Sequence, residues 1–566
     1  MPYNIAYVLS FSGDYVVLTP YRDSMISDFF YPQPGGVESH IYHLGTKLVD
    51  RGHKVIIITH AYGPPSDSSP SRTGIRYLTN RIKVYHLPHW VVYRSTTFPT
   101  VFSSFPILRQ IYIREQIQIV HGHGSLSNLC HEGLLHARTM SLGTVFTDHS
   151  LFGFSDAASI MANKLLKFSL SDVGHVICVS HTCKENTTLR ASLNPLAVSV
   201  IPNAVVATNF RPLQPQELQT FRQAPTTPAT QLLPPPPDPS QPVGPNDIIT
   251  IVVISRLFYN KGTDLLISAL PLLLKRHEKL RFIIAGSGPQ AIDLEQTLDS
   301  LPQQLIYMPS GQSRVVLLGS IRHEEVRNVM VRGHLLLSTS LTEAFGTVLV
   351  EAASCGLMVV ATRVGGVPEV LPENMTVFVL PEVADVVRGV TEAVGLLRTK
   401  TVKRDKFHDL VKNMYSWSDI ARRTERVYDL VTGSPSAKDN QDYYDSEWES
   451  YGQALHLQTQ KSALIDRLKR YFGCGIWAGK LFVIVVVVDY LIWCVLEVIY
   501  PCDGIDICKS WPVVGDKDDG GDGLVKVEHE EGELERFGTV RQKGRKGREV
   551  TGAVVEGEAG YRQLMI

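Results

Sequence analysis

The 566-residue chain is too long for one hydrophobic core, and a prior of about 150 residues per domain predicts two or three domains plus tails. A formal charge of −1 and a pI near 7.0 argue against a nucleic-acid-binding protein, which would carry a strong basic excess. Eight cysteines occur without a C-x2-C pair, which favours free thiols in a reducing compartment over a disulfide framework. Four of them fall in segments predicted to be buried: Cys130, Cys178, Cys183 and Cys355.

Residues 1–210 predict a Rossmann-like domain, because short apolar runs alternate with helix-like segments, as in parallel sheets covered on both faces. The predicted strands are Lys54–Thr59, Ile117–His121, Gly143–Thr147, His175–Val179 and Val198–Pro202. The first strand is harder to place, since Tyr21–Ser27 makes a poor strand. Either Tyr15–Thr19 serves with a distorted connection, or the start of this sequence is atypical.

Two loops of this half carry residues suited to a cleft. Gly35 and Gly36 precede a helix-like segment, and paired glycines let a backbone approach a ligand, although such pairs are often turns. His149 and Ser150 follow a predicted strand, where a capping or packing histidine is an equal alternative to a functional one.

A metal site is the less favoured interpretation of the nearby histidines. His121 and His123, with Cys130 and His131, have the right residue types, but no second cluster completes four-coordination. We therefore expect a cleft-lining loop and no metal.

A Pro-rich stretch, residues 211–247, predicts a linker or surface insertion before a second Rossmann-like domain at residues 248–433. Its predicted strands are Ile248–Ser255, Arg281–Gly286, Val315–Gly319, His334–Thr339 and Met358–Thr362. The resulting fold class is α/β, with two doubly wound domains facing across a cleft.

The most informative motif is Ser340–Glu351, where Glu343 and Glu351 bracket seven residues at a predicted strand–loop–helix junction. Free N–H groups at such a helix start suit a nucleotide, and carboxylates suit sugar and ribose hydroxyls. Carboxylates suit phosphates poorly. Arg256 and Lys261, just after another predicted strand, supply the cations that a diphosphate requires.

One further glycine motif has a structural explanation. Gly286-Ser-Gly288-Pro289 follows a predicted strand but lacks the third glycine of a dinucleotide loop. A tight strand-to-helix turn explains it, and we do not infer NAD.

After Gly433 the sequence predicts a polar tether at 434–480, a transmembrane helix at 481–500 and a disordered luminal tail at 501–566. Asp489 would cost about 2.5 to 3.5 kcal/mol at mid-span, and another membrane protein would most simply satisfy it. Basic residues before the span and acidic ones after it predict a single-pass protein with its large N-terminal part in the cytosol. A buried Val-rich strand is the alternative.

Together these motifs resemble the retaining, metal-independent GT-B glycosyltransferases with a Glu-x7-Glu element. The closer resemblance is to the catalytic subunits of phosphatidylinositol N-acetylglucosaminyltransferase, the PIG-A family, from about Ser27 to Val431 and again through the apolar span. Seven segments carry it: Ser27–Pro32, Gly35–His40, Arg51–Ile56, Thr147–Phe154, Ser192–Pro195, Glu351–Gly356 and Thr362–Glu373.

This resemblance implies transfer of GlcNAc from UDP-GlcNAc to phosphatidylinositol at the cytosolic face of the endoplasmic reticulum membrane, the first step of GPI-anchor synthesis. It also implies partner membrane subunits, no metal or other cofactor, and no nucleic acid. The catalytic set that it implies is Arg256, Lys261, Glu343 and His149, with His149 and Ser150 binding the acceptor. The donor-binding set is Gly35, Gly36, Arg256, Lys261, Glu343, Ala344, Phe345, Gly346 and Glu351.

Two other functions remain open on the sequence. One is a GT-B transferase for another lipid acceptor or a soluble sugar. The other is a non-catalytic scaffold that organises membrane subunits through Asp489 and the tail.

Overall fold

Two parallel sheets form the core of the protein, which we describe from a computed structural model. The structure describes residues 21–33, 35–63, 72–93, 95–153, 157–214, 216–217, 219, 233–239, 241, 243–399, 402–433 and 464–508. Each strand predicted from an apolar run is present, with its ends within two residues of the prediction.

The N-terminal sheet has eight strands in the order β10-β9-β8-β7-β1-β2-β4-β3 and is parallel except for β3. Its order reverses between β1 and β7, which is the switch point where doubly wound sheets bind ligands. The strands are β1 Arg22–Ile26, β2 Lys54–His60, β3 Gly74–Tyr77, β4 Lys83–Leu87, β7 Ile119–His123, β8 Gly143–Asp148, β9 His175–Cys178 and β10 Val198–Val200, with a separate hairpin of β5 Val91–Tyr93 and β6 Thr96–Thr97. The helices are α1 Gly36–Asp50, α2 Phe105–Arg114, α3 Asn128–Thr139, α4 Ala157–Leu170 and α5 His181–Ala191.

The prediction that Tyr21–Ser27 makes a poor strand was wrong. Arg22–Ile26 is the central strand, paired with β2 on one side and β7 on the other. Its buried Asp23 accepts a hydrogen bond of 2.7 Å from the Tyr428 hydroxyl, and burial raises the Asp23 pKa to about 7. A partner so distant along the chain gives no local sequence signal. Tyr15–Thr19 lies outside the described residues.

The second sheet has six parallel strands in the order β13-β12-β11-β14-β15-β16 and reverses between β11 and β14. Its strands are β11 Ile249–Ile254, β12 Leu280–Ala285, β13 Val315–Gly319, β14 Leu335–Ser338, β15 Met358–Thr362 and β16 Thr376–Val379. The helices are α6 Thr263–Arg276, α7 Ala291–Ser300, α8 Gln303–Ile306, α9 His323–Met330, α10 Thr347–Ser354, α11 Val383–Arg398, α12 Phe407–Met414 and α13 Trp417–Thr432.

Two segments tie this second domain to its surroundings. In the Pro-rich stretch, Leu233 is buried and the Pro234 carbonyl accepts a 2.6 Å hydrogen bond from Arg332, so this part packs as a surface insertion. Helix α13 crosses back to the N-terminal sheet, where Glu425 accepts from His53 at 2.7 Å. The last helix of the 248–433 segment therefore packs on the first domain.

The C-terminal segment differs from its prediction. Helix α14, Leu464–Phe472, replaces part of the predicted tether, because its Arg467 and Arg470 both pair with the buried Asp172. Helix α15, Ile476–Ile499, begins before the predicted span at 481–500 and is, among the described residues, the one helix long and apolar enough to cross a membrane. Residues 501–508 are ordered, and 434–463 and 509–566 lie outside the described residues.

The expectation for Asp489 was also wrong, because this chain satisfies the carboxylate itself. Asp489 is fully buried, lies 2.7 Å from His136 Nδ1 and accepts from the Thr139 hydroxyl. The cysteines follow the prediction: all eight are free, and Cys130, Cys178, Cys183 and Cys355 are buried.

Candidate active site

The predicted donor residues meet at the switch point of the second sheet. Arg256 and Lys261 follow β11, and Glu343 follows its neighbour β14, so adjacent strands deliver all three to one sheet edge. Lys261 and Glu343 form an ion pair, and both side chains are partly buried. Arg256 is exposed, with its guanidinium 6.0 Å from the centre of the Phe258 ring. Lys261 is thus paired with the Glu343 carboxylate, whereas Arg256 is open to a ligand.

Three glycines shape the loops that carry the cations. Gly262 has φ of 63°, and a Cβ there would lie 1.8 Å from the Thr339 carbonyl oxygen, so the Lys261 loop packs directly on the end of β14. Gly286 and Gly288 pack equally closely on the loop that carries Arg256. The Gly286-Ser-Gly288 motif is thus the predicted tight turn between a strand and a helix, and it packs against the loop that carries Arg256.

The loop from Glu343 to α10 has the predicted strand–loop–helix form. Ala344 and Phe345 are buried, and Gly346 has φ of 89° at the residue before the helix. Glu351 lies within α10, and burial raises its pKa from 4.5 to about 7. The Glu351 residue is half-buried, and a ligand hydroxyl could replace the solvent that its carboxyl group has lost.

Gly35 and Gly36 of the first domain lie near Arg256 of the second domain. Gly35 precedes α1, and a Cβ on it would lie 2.1 Å from the Glu38 carboxylate, whereas Gly36 borders open space. Burial raises the Glu38 pKa, and the charge of Arg256 opposes that shift. The Gly35–Glu38 turn and Arg256 therefore lie within electrostatic reach across the cleft.

His149 and Ser150 are positioned by the buried Asp148 at the end of β8. Asp148 accepts hydrogen bonds from the Ser150 N–H at 3.1 Å and the Thr187 hydroxyl at 2.9 Å, and it pairs with Arg190. Burial lowers the pKa of His149 well below its usual value, with nearby histidines adding to the shift. Its imidazole is therefore neutral near pH 7 and can donate or accept one hydrogen bond.

A cluster of three histidines surrounds this position. His149 Nε2 lies 3.4 Å from His123 Nδ1, and the His40 and His149 ring centres are 4.6 Å apart. Each of the three offers a ligand nitrogen within 4.8 Å of the others, so this cluster is the group of described residues able to hold a metal ion. This set shares only His123 with the group considered in the sequence. His40 was missed because it lies on a helix whose sequence gives no local sign of a metal site.

The other histidines considered in the sequence have structural partners. His121 bonds to the hydroxyls of Tyr428 and Thr147 at 2.9 and 2.7 Å. His131 Nε2 lies 2.9 Å from the Ser125 carbonyl oxygen. The expectation of a loop was wrong for these two residues, since His121 lies in β7 and His131 in α3, where both are held by packing contacts.

The two domains contact each other beside Glu343. The Ser180 hydroxyl donates to the Ala344 carbonyl at 2.7 Å. Glu369, from the second domain, accepts from the N–H groups of His181 and Thr182 at 2.6 and 2.9 Å, at the start of α5. Sequence reasoning missed Glu369, which is paired with a helix in the other domain.

Comparison with known proteins identifies related chains. The family model described as PIGA (GPI anchor biosynthesis) matches residues 67–156, and that described as glycosyl transferases group 1 matches residues 248–397. The phosphatidylinositol N-acetylglucosaminyltransferase gpi3 subunit of Schizosaccharomyces pombe is 54% identical over 482 residues, covering 85% of this chain and 91% of the relative. The matching subunit of the Homo sapiens phosphatidylinositol N-acetylglucosaminyltransferase is 50% identical over 409 residues, covering 72% and 76%.

Solved structures share the GT-B fold. A glycosyltransferase from Rickettsia africae aligns with a TM-score of 0.55 at 18% identity, covering 74% of this chain and all of that one. Anabaena Alr3699/HepE in complex with UDP aligns at 0.52 and 16% identity, covering 72% and 99%. Since the fission-yeast relative is so similar over most of both chains, this chain belongs to the gpi3 family of phosphatidylinositol N-acetylglucosaminyltransferase subunits, among the group 1 glycosyltransferases.

Proposed function

We propose that this chain transfers GlcNAc from UDP-GlcNAc to phosphatidylinositol with retention at the anomeric carbon, the first step of GPI-anchor synthesis. The observation that carries the proposal is the meeting of Arg256, Lys261 and Glu343 at one switch point. The relatives' names supply the reaction, and the cleft supplies groups suited to it.

The two cations support departure of UDP. As the sugar–phosphate bond breaks, negative charge grows on the diphosphate, and preorganised cations stabilise that charge. Arg256 can bind two oxygens with its planar guanidinium, while Lys261 acts as a point charge. In this arrangement the diphosphate competes with Glu343 for Lys261. Binding would therefore free the Glu343 carboxylate to accept hydrogen bonds from the donor sugar.

Glu351 is suited to the ribose. Its carboxyl is set back within α10 and desolvated, so two ribose hydroxyls would satisfy it better than a phosphate. Gly35 and Gly36 complete the donor site from the other side, where Gly36 borders open space.

On the acceptor side, His149 and Ser150 would orient the inositol ring and the transferred sugar. An inositol hydroxyl oxygen forms the new bond on the face that UDP leaves, and its proton passes to the departing diphosphate. No protein nucleophile is assigned and no metal is required, since Arg256 and Lys261 supply the positive charge.

The proposed setting is the cytosolic face of the endoplasmic reticulum membrane. The relatives are named as subunits, which supports further membrane subunits beside this chain. The scaffold alternative drew on an unsatisfied Asp489, and that carboxylate is paired within the chain.

A direct assay tests the proposal. Membranes containing the full-length protein, with its partner subunits and without an endogenous enzyme, receive labelled UDP-GlcNAc and phosphatidylinositol. The expected product is labelled GlcNAc-phosphatidylinositol. Labelling of another lipid or soluble sugar in its place would favour a different acceptor. Rescue of deficient cells by an Arg256→Ala/Glu343→Ala double variant would favour a scaffold.

A further inference from the structure

One face of helix α5 is occupied by the loop that follows β8. The contacting residues of the helix recur every three or four positions, as one helical face does: Cys183, Asn186, Thr187 and Arg190. Each bonds to Asp148 or to residues 149–153, which we call the acceptor loop because they include His149 and Ser150. The sequence of α5 is therefore matched to this loop by polar contacts along a whole face.

Arg190 makes the most extensive contacts of this face. Its Nη1 lies 3.3 Å from the Asp148 carboxylate, and both side chains are fully buried. Its Nε donates to the side-chain oxygen of Asn163 in α4 at 2.6 Å, and Asn163 in turn donates to the Gly153 carbonyl at 3.2 Å. The guanidinium carbon also lies 4.5 Å from the centre of the Phe152 ring. One side chain thus reaches the residue before the acceptor loop, its last residue and an aromatic ring within it.

The amide of Asn186 holds the backbone of the same loop. It donates to the Phe152 carbonyl at 3.0 Å and accepts from the Phe152 N–H at 3.4 Å. The Asp148 carboxylate also accepts from the Thr187 hydroxyl at 2.9 Å. Both sides of the two proposed acceptor-binding residues are therefore fixed on α5.

Stability alone explains this arrangement poorly. The second terminal nitrogen of Arg190, Nη2, is buried with no hydrogen-bond partner among the residues that the structure describes. A buried N–H group without a partner lowers stability, and apolar residues in place of a buried ion pair are often neutral or stabilising. A planar guanidinium does supply a fixed direction to several partners at once, which sets the position of a loop.

The other end of α5 is bonded to the second domain. Ser180, which caps the helix, donates to the carbonyl of Ala344, the residue after Glu343. Glu369 accepts from the first two N–H groups of the helix. At about 1.5 Å per residue, the 11 residues of α5 span about 16 Å. One short helix therefore joins the donor side of the cleft to the acceptor loop.

We propose that Arg190 is a positioning residue of the transfer reaction, which holds the acceptor loop on α5 and thereby fixes His149 and Ser150 relative to the second domain. This role rests on the proposed function, and it names the group that sets the acceptor geometry. Arg190 is buried and acts through Asp148 and Phe152. Because a misplacement of about 1 Å can lower a rate about 100-fold, the effect of such a residue on acceptor use is large.

Steady-state kinetics of Arg190→Lys separate acceptor positioning from a loss of stability. The full-length protein with its partner subunits is assayed while phosphatidylinositol and UDP-GlcNAc are varied in turn. We expect kcat/KM for phosphatidylinositol to fall at least about tenfold, because lysine keeps the charge but cannot contact Asp148, Asn163 and Phe152 together. The KM for UDP-GlcNAc and the melting shift induced by UDP should stay within about twofold of the wild-type values.

Arg138→Lys is the matched control for the loss of a buried arginine. Arg138 and Asp172 form an ion pair of 3.4 Å that is also buried. Arg138 bonds to the Leu142 carbonyl just before β8, at the opposite end of that strand from Asp148. This variant should lower the melting temperature without changing the KM for either substrate. Equal kinetic losses in the two lysine variants, or unaltered phosphatidylinositol kinetics in a folded Arg190→Lys protein, would overturn the positioning role.

The link through α5 is tested by a double-mutant cycle of Arg190→Lys and Glu369→Ala. Because both changes disturb the same alignment of loop and domain, the combined loss in kcat/KM for phosphatidylinositol should be smaller than the product of the single losses. Losses that multiply, or a Glu369→Ala protein with unchanged kcat/KM, would show that α5 does not connect the acceptor loop to the second domain.

Asn186→Ala provides the decisive variant if Arg190→Lys does not fold, since it removes a contact to the loop backbone without disturbing a buried charge. It should show the same acceptor-selective loss, whereas Glu185→Ala, at an exposed position of α5, should keep wild-type kinetics. Wild-type phosphatidylinositol kinetics in Asn186→Ala would contradict the proposal. Absence of product with the wild-type protein would contradict the proposed function itself, so the two failures are distinct.

Discussion

At the scale of single residues, Arg256 is the cation of the cleft that is open to a ligand. Arg256→Ala should lower transfer from UDP-GlcNAc by about 10²- to 10³-fold, as expected for loss of a donor aimed at developing charge. Arg256→Lys should recover part of this loss, because it keeps the charge without the planar pair of donors. Initial rates of labelled GlcNAc-phosphatidylinositol formation measure both.

The comparison needs a control for the loss of a surface charge. Arg322 is exposed in the same domain, and Arg322→Ala should keep full activity. All three variants should have the same melting temperature as the wild-type protein, since neither Arg256 nor Arg322 is part of the core. An Arg256→Ala protein that is folded and fully active would contradict the assignment.

Glu351 makes a second prediction, on stability. Its folded pKa of about 7 exceeds its ordinary value of 4.5, so between these values the folded state holds the proton more tightly and the free energy of unfolding falls as pH rises. Glu351→Gln removes this penalty. The variant should match the wild type at pH 4.5 and be more stable above pH 7, by up to about 3 kcal/mol.

The measurement is thermal melting of the ligand-free wild-type and Glu351→Gln proteins between about pH 4.5 and pH 7. Asp23 and Asp28, with pKa values of about 7 and 6, are present in both and cancel in the difference. Glu373→Gln, at an exposed glutamate of the same domain, serves as the control for loss of a carboxylate. A constant difference between Glu351→Gln and wild type at all pH values would contradict the raised pKa of Glu351.

At the scale of elements, the α5 N-terminus is joined to the second domain by Glu369. An anion at a helix N-terminus typically contributes about 1 kcal/mol, so Glu369→Ala should weaken the contact between domains by that amount. If transfer requires this contact, kcat/KM falls by about fivefold. Glu373→Ala, a few residues along, is the matched control. Equal kcat/KM for both variants would show that the contact does not limit the reaction.

The sequence predicted elements best where their partners are near in the chain. Arg256, Lys261 and Glu343 were found because each follows an apolar strand, and parallel strands bring their carboxyl ends to one edge. Strand β1 was missed because a helix some 400 residues away satisfies its Asp23. The 464–472 helix was not predicted for the same reason: Arg467 and Arg470 pair with Asp172, which is far away in the sequence. Contacts across domains have no local periodicity to detect.

At the scale of the whole molecule, the cleft draws its groups from both domains, while α13 and Glu369 tie those domains together. UDP should therefore stabilise the entire protein, by about 2.7 kcal/mol at 100 times its Kd. Because domains of this size gain about 2–4 °C per kcal/mol, the midpoint should rise by several degrees. Arg256→Ala/Lys261→Ala should lose most of the shift.

The same melting experiment separates the two sources of positive charge available to the diphosphate. If Arg256 and Lys261 suffice, the UDP-induced shift persists in excess EDTA, and Arg322→Ala keeps it as well. The three imidazoles of His40, His123 and His149 offer the alternative, since they could hold a metal ion in the same cleft. A shift that EDTA abolishes and a divalent cation restores, and that His123→Ala also loses, would overturn the expectation of a metal-free site and move the charge compensation from the second domain to the first.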